Sequence, residues 1–151
     1  MGLLSKLKGA VNSVTGGAAK VTVQFDPQTV KPGEEFSVRV TMTSTGNEVK
    51  SKGVFIDLQS METIDIARNT ANNDAKIEID TKTHEQSFLI APAFVLGAGE
   101  TQTFEGLVTI PLGIEPSYRG EHASHKWELR GRLDAVGNDP DSGFVGFRVE
   151  Q

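Results

Sequence analysis

The chain has no cysteine in 151 residues, and only one tryptophan and one tyrosine. Without cysteine it is not a small disulfide-stapled secreted scaffold, and a cytoplasmic protein is the expectation. Long hydrophobic runs are missing as well. No stretch approaches the roughly 20 apolar residues that a membrane-spanning helix needs. The opening MGLLSKLKGAVNSVTGGAAK is not a secretory leader, because Lys6 and Lys8 interrupt its apolar character. Met1-Gly2 begins like a myristoylation signal, but Lys6 stands where that signal requires Ser or Thr. Nucleotide motifs are also lacking: GGAAK (16–20) and GAGE (97–100) have neither P-loop nor dinucleotide glycine spacing.

Negative charge is absent from the first 25 residues. Lys6, Lys8 and Lys20 precede the first acid, Asp26, so of the net −5 the remainder carries −8. An acidic body with no compensating basic patch repels phosphates, which excludes nucleic acid as a general partner. The basic opening needs its own explanation. At 100° per residue, Leu3, Leu4, Leu7, Ala10, Val11 and Val14 share one face, and Ser5, Lys6, Lys8, Gly9, Asn12 and Ser13 take the rest. That spacing predicts a short amphipathic helix over 2–15, ending at Gly16-Gly17. So short a helix needs a surface to fold against. Leu3, Leu4, Lys6, Leu7, Lys8, Val11 and Val14 are therefore the candidate membrane- or partner-binding residues. The surface is a lipid interface with lysines among anionic headgroups, a groove on another subunit, or the chain's own domain.

What is present from Ala19 onward has a period of two. Val21, Val23 and Phe25 alternate with polar residues, and Phe36, Val38, Val40 and Met42 do the same after the Pro32-Gly33 turn. Val54, Ile56 and Leu58 line a third strand. ARNTANND (67–74) reads as a loop, and KIEID and SFLIA as two strands with a turn near Lys82–Glu85. TQTFEGLVTIP turns Phe104, Val108 and Ile110 inward, with Gly106 as a bulge. HKWELRGRLDA puts Trp127, Leu129 and Leu133 on one face and Lys126, Glu128, Arg130 and Arg132 on the other. Val145, Phe147 and Val149 close the pattern. About eight short strands with one wet face each, and no second helix, predict an all-β, immunoglobulin-like antiparallel sandwich. Residues 1–18 are then the helix and a glycine linker, and 19–151 the sandwich domain.

KPGEEFSVRV (31–40), VFIDL (54–58) and IPLGIEPSYRGEHASHKWELRGRLDAVGNDPD (110–141) resemble arrestin-like proteins, in particular the bacterial sporulation-control type. The shared elements here are Pro32-Gly33 before a strand, then Pro116, Ser117, Tyr118 and Gly120 leading into a strand with Trp127 and Asp134. The resemblance implies a β-sandwich with a non-enzymatic role in binding or scaffolding. Full arrestins and sporulation-control proteins carry two such sandwiches in tandem, and this chain has room for one.

Other constellations are weaker. His122 and His125 beside Glu121 are three apart at the start of a strand, where they point to opposite faces, so a solvated strand entrance is expected rather than a metal site. Asp134, Asp139 and Asp141 lack the ordered calcium-loop pattern and suit a turn. Ser117, His122, His125 and Asp134 supply triad residue types without a nucleophile-elbow context. No cofactor is expected. Trp127 is expected in the core, with Tyr118 more open to contact. The reading is a non-catalytic adaptor or scaffold that binds protein partners or itself, at the membrane's inner face if the N-terminal helix attaches there. The alternative is a self-assembling filament or shell subunit locked by that helix.

Overall fold

The computed structural model describes residues 12–70 and 73–151. They form ten strands: β1 (Asn12–Gly16), β2 (Ala19–Phe25), β3 (Thr29–Val30), β4 (Glu35–Ser44), β5 (Val49–Thr70), β6 (Asn73–Leu96), β7 (Thr101–Thr109), β8 (Tyr118–Arg119), β9 (Ala123–Ala135) and β10 (Val145–Val149). A four-stranded sheet has the order β1-β2-β4-β7, and a six-stranded sheet has the order β3-β10-β9-β5-β6 with β8 beside β9. All pairings are antiparallel except β3 with β10. Among the described residues there is no helix.

The two sheets bury the alternating apolar positions against each other. Val21, Val23 and Phe25 from β2, Val38, Val40 and Met42 from β4, Ile56 and Leu58 from β5, and Trp127, Leu129 and Leu133 from β9 are all essentially inaccessible to solvent. At one end the rings of Phe25, Phe36 and Phe147 meet with centroids 5.7–5.9 Å apart. Gly131 permits a close approach of the layers, since a Cβ there would lie 2.8 Å from Val40 Cγ1.

The strand boundaries correct the sequence reading in four places. Residues 2–11 of the expected helix lie outside the described residues, but its last turn is β1, paired with β2 from Asn12↔Val23 to Gly16↔Ala19. Val14 and Thr15 are β-branched and favour this extended state. The expected linker is instead a two-residue hairpin turn. Gly17 has φ of +64°, and among the described residues no non-glycine residue has positive φ, which is the glycine-first pattern of a type II′ turn.

The third and largest correction concerns residues 67–96. KIEID and SFLIA belong to the single strand β6, and ARNTANND is mostly strand, because β5 pairs with β6 continuously to Thr70↔Asn73. The polar stretch Lys82–Glu85 has no glycine or proline to turn the chain. Its irregularity is a bulge: Ser60 pairs with His84 and Met61 with Lys82, leaving Thr83 as the extra residue. Gly106, expected as a bulge, keeps regular register opposite Val38. It is small because Ile90 of the facing sheet fills the space, with Cγ2 2.2 Å from where a Cβ would be.

Candidate docking surface

The motif residues around the crossing between β7 and β8 collect at the Phe25/Phe147 end of the sandwich. Lys31–Glu34 forms a turn closed by the Glu34 N–H to Lys31 O bond of 3.0 Å, with Gly33 at φ +82°. Proline at the second position and a positive-φ glycine at the third make it type II. The Gly33 N–H donates to Ile110 O at 2.7 Å, tying this turn to the start of the crossing. Farther along, Trp127 Nε1–H donates to Glu115 O at 2.9 Å, and the Ser117 N–H to Val149 O at 2.8 Å. Ser117 Oγ accepts from the Val149 N–H at 2.9 Å. The Gly120 N–H donates to Ala123 O at 2.7 Å and closes the turn into β9. Pro32, Gly33, Pro116, Ser117, Tyr118, Gly120 and Trp127 thus form one closure of the sandwich. Asp134 does not join them; it lies opposite Gly53 near the other end of β9.

A buried polar chain sits beneath this closure. His125 is 3% exposed. Its Nδ1 contacts Pro116 O at 2.9 Å, and a carbonyl only accepts, so Nδ1 donates. In the neutral ring Nε2 then accepts from Thr83 Oγ1 at 2.7 Å, and Thr83 Oγ1 is in turn 2.7 Å from Ser60 Oγ. Tyr118 stacks on the His125 ring and donates its hydroxyl to Glu62 Oε1 at 2.7 Å. That hydrogen bond raises the Tyr118 phenol above its ordinary value. His84 lies against Trp127, with ring centroids 5.4 Å apart, and its Nε2 is buried without a hydrogen-bond partner. The expected solvated location of His125 is therefore overturned, since the ring serves as a strut between β9, the crossing and the β6 bulge. His122 is exposed. Among the described residues no group of three or more His, Asp or Glu is placed to hold a metal.

On the outer face of the larger sheet, Arg130 and Arg132 are not a free solvated surface. Asp57 Oδ2 accepts from Arg130 Nε at 2.9 Å and from Arg132 Nε at 2.8 Å, and Asp57 Oδ1 accepts from Arg132 Nη2 at 3.2 Å and Ser87 Oγ at 2.7 Å. Burial pushes the Asp57 carboxyl up, but the bonds from Arg132, Ser87 and Arg130 outweigh it and hold the group below its ordinary value. The same bond with Asp57 raises Arg132. Asp141 and Asp139 reach Arg130 and Arg132, each at 3.3 Å, and the guanidinium groups lie 4.8 and 4.6 Å from the Phe144 and Phe55 ring centroids. Asp139 and Asp141 are thus spent on arginines and on loop N–H groups of Ala135 and Gly143. Sequence reasoning missed Asp57 as the hub. Its signal was a lone acid at an outward strand position and an Arg-x-Arg pair at outward positions of another strand, which the fold makes neighbours.

What remains open is a flank. β6 and β7 are the terminal strands of their sheets, each hydrogen-bonded on one side only among the described residues. They meet across the sandwich through Gly106 against Ile90 and through the Phe94 and Phe104 rings, 5.0 Å apart. Leu89 and Val95 on β6 and Leu107 on β7 are 60%, 52% and 56% exposed. Two free ladder edges therefore share one flank, with Leu89 and Val95 on the outer face of the larger sheet and Leu107 on the outer face of the smaller. A separate shallow groove of about 490 Å³ lies between β8 and β10, where Arg119, Lys126 and Arg148 surround Tyr118, Trp127 and Phe147. Two of its cations are occupied, Lys126 by Glu128 at 3.7 Å and Arg148 by Glu150 at 2.7 Å.

No family model matches the chain. No curated protein matches it either. Solved structures do. The sporulation control protein Spo0M from Bacillus subtilis matches with a TM-score of 0.64 and 25% identity, over 90% of this chain and 51% of that one. This chain thus spans about half the length of that relative. The alkylpurine DNA glycosylase AlkC from Pseudomonas fluorescens, bound to DNA containing an abasic site analog, matches with a TM-score of 0.49 and 17% identity, over 90% of this chain and 31% of that one. No helix among the described residues is long and apolar enough to cross a membrane. The paired sheets, the proline-rich crossing that closes them and the match to Spo0M give this chain an arrestin-like β-sandwich fold similar to that of the sporulation control protein.

Proposed function

We propose that the chain is a regulatory adaptor of the sporulation-control kind, working by protein–protein contact rather than by catalysis. The observation that carries this reading is the β6–β7 flank. Unpaired ladder edges are templates for an added strand, and natural sandwiches ordinarily cover or charge them. Here they carry Leu89, Val95 and Leu107 in the open. An extended partner segment would pair its backbone with β6 and place alternate side chains beside Leu89 and Val95. The resemblance to Spo0M adds the regulatory context. The polar groups that could suggest chemistry, His125, Ser117 and Asp57, are instead engaged in holding strands and loops together.

The test is co-purification of the tagged protein from its native cells, beside Leu89→Lys and Leu107→Lys variants. The reading expects a defined set of proteins on the wild type that the variants lose while their Trp127 fluorescence stays native. Identical sets on all three, or a turnover activity abolished by one side-chain change, would defeat it. The same flank favours a second reading, self-assembly, because two open edges can pair with those of another copy. Concentration-dependent high-mass species that disappear in the lysine variants would select that reading. Peripheral attachment to anionic lipid through Leu3, Leu4, Leu7 and Val11, with Lys6 and Lys8 at the headgroups, belongs to the same proposal. It is read by flotation of the full chain with anionic vesicles.

A further inference from the structure

On the side of β9 away from β5, the strand changes partners. Val145, Gly146 and Phe147 of β10 pair with Leu129, Glu128 and Trp127, and Tyr118 and Arg119 of β8 then take over opposite His125 and Ser124. β10 does not stop at the changeover but continues to Val149 beside β3. Ser117 fills the wedge between the diverging strands. Its N–H donates to Val149 O at 2.8 Å, and its Oγ accepts from the Val149 N–H at 2.9 Å. The sheet splits here, and the shallow groove of about 490 Å³ follows the split.

Alternation decides which side chains face the groove from outside. Ser124 and Lys126 point outward, on either side of the buried His125 and before the buried Trp127. Arg119, opposite Ser124, shares that face. So does Gly146, opposite Glu128, and so does Arg148 two residues beyond it, which the register brings level with Lys126. The floor is low. Ser117 is small and tied to Val149, and Gly146 has no side chain; outside its chain neighbours, the nearest atom to a Cβ there would be Trp127 O at 3.8 Å. Lys126 and Arg148 flank this floor. Arg119 stands one side-chain repeat farther along, about 6.8 Å.

Three like charges around one floor repel one another, which costs the sheet stability. The fold does not neutralise them firmly. Arg119 has no hydrogen bond or ion pair among the described residues. Lys126 meets Glu128 only at 3.7 Å, while Gln59 Nε2 donates to the same carboxylate at 2.7 Å. Arg148 reaches Glu150 through Nε alone, and both side chains are exposed. Exposed pairs of this kind contribute little, so an incoming carboxylate can exchange with them.

Spacing selects the ligand. A single small anion needs donors that converge on one point, whereas these cations are spread along the strand direction. An extended peptide presents residues i and i+2 on one face, separated by the same repeat of about 6.8 Å. A carboxylate between Lys126 and Arg148 then sets a second one against Arg119, whose planar fork matches a carboxylate. A nucleic-acid backbone needs a broader basic surface than three cations on a chain of net charge −5.

We infer that this groove binds an extended acidic peptide through two carboxylates placed two residues apart. The inference goes beyond the adaptor reading and does not rest on the β6–β7 flank, since β9 and β5 separate β10 from β6.

The test titrates the nitrogen-15-labelled full chain with two capped peptides at low salt. One carries Glu-Gly-Glu. The other carries Glu-Gly-Gly-Glu, with the same charge but with its carboxylates on opposite faces when extended. The first peptide is expected to give saturable amide shifts at 117–119, 126 and 146–148, and to bind about threefold tighter than the second. Arg119→Gln should weaken it about threefold, and Arg119→Gln with Arg148→Gln about tenfold. Lys50→Gln removes an exposed cation near the opposite end of β9, where Ser51 pairs with Ala135, and should change nothing. Equal affinity for the two peptides, an equal loss in Lys50→Gln, or shifts that avoid the groove or never saturate each overturn the proposal. So does tighter binding of a short oligonucleotide of the same charge.

Discussion

Asp57→Asn removes one charge from the most connected polar group in the structure while keeping its shape. The Asp57 side chain is 12% exposed and accepts from Arg130, Arg132 and Ser87. Removing one partner of a buried ion pair costs roughly 3–5 kcal/mol. Here the arginine side chains are 29% and 18% exposed, and they retain Asp141 and Asp139 at 3.3 Å. Solvent screening and these second acids reduce the loss, so about 2 kcal/mol is expected. The sign with pH follows from linkage. The folded Asp57 carboxyl lies below its ordinary value. Its contribution is therefore complete above the unfolded carboxylate range, about pH 4, and is lost as pH falls through the lower folded value. Urea unfolding followed by Trp127 fluorescence should show a gap of about 2 kcal/mol between wild type and Asp57→Asn at pH 7. That gap should narrow progressively below about pH 4. A double-mutant cycle with Arg132→Met should assign a substantial part of it to that pair. A gap under about 0.5 kcal/mol at neutral pH, the range of an ordinary surface substitution, would refute the reasoning. So would a gap that persists undiminished into acid.

Gly106→Ala should cost about 1–3 kcal/mol by overpacking, because Ile90 Cγ2 occupies the space of the new methyl. Ile90→Ala in the same chain should recover part of that loss in urea titrations. Gly33→Ala meets both φ of +82° and Leu112 Cδ2 3.0 Å from the new Cβ. It should lower stability by about 1 kcal/mol or more, whereas Gly46→Ala, with open space around it, should be nearly silent. Trp127→Phe deletes the donor to Glu115 O and leaves that carbonyl without its indole partner. It should cost about 1–3 kcal/mol, read by thermal unfolding in circular dichroism because the only tryptophan is gone.

The alternation of Val21/Val23/Phe25, Phe36/Val38/Val40/Met42 and Trp127/Leu129/Leu133 made the sandwich and most of its core legible, because the side-chain period of a strand is a local property. The Pro-Gly turn was legible for the same reason, since its chemistry lies within four residues. The length of β6 was not. A polar run without glycine or proline is compatible with either a turn or a bulge, and Thr83 is settled only by where β5 pairs on each side of it. The role of Asp57 was hidden because its partners lie 73 and 75 residues away. The end of the opening segment was misassigned because Val14 fits a helical stripe and a strand equally well, and pairing with β2 decides the matter. His125 was placed in solvent because nothing local reveals that Pro116 and Thr83 close over it.

The central claim is that partners meet the sandwich at the β6–β7 flank. Its most direct test is hydrogen–deuterium exchange of the purified chain, alone and with a protein that co-purifies with it. Added partner should slow exchange in residues 84–96 and 101–107, whose outer edges are unpaired. Protection confined to 28–30, 117–119 and 146–148, around the groove between β8 and β10, would contradict the claim and move the binding surface to that groove.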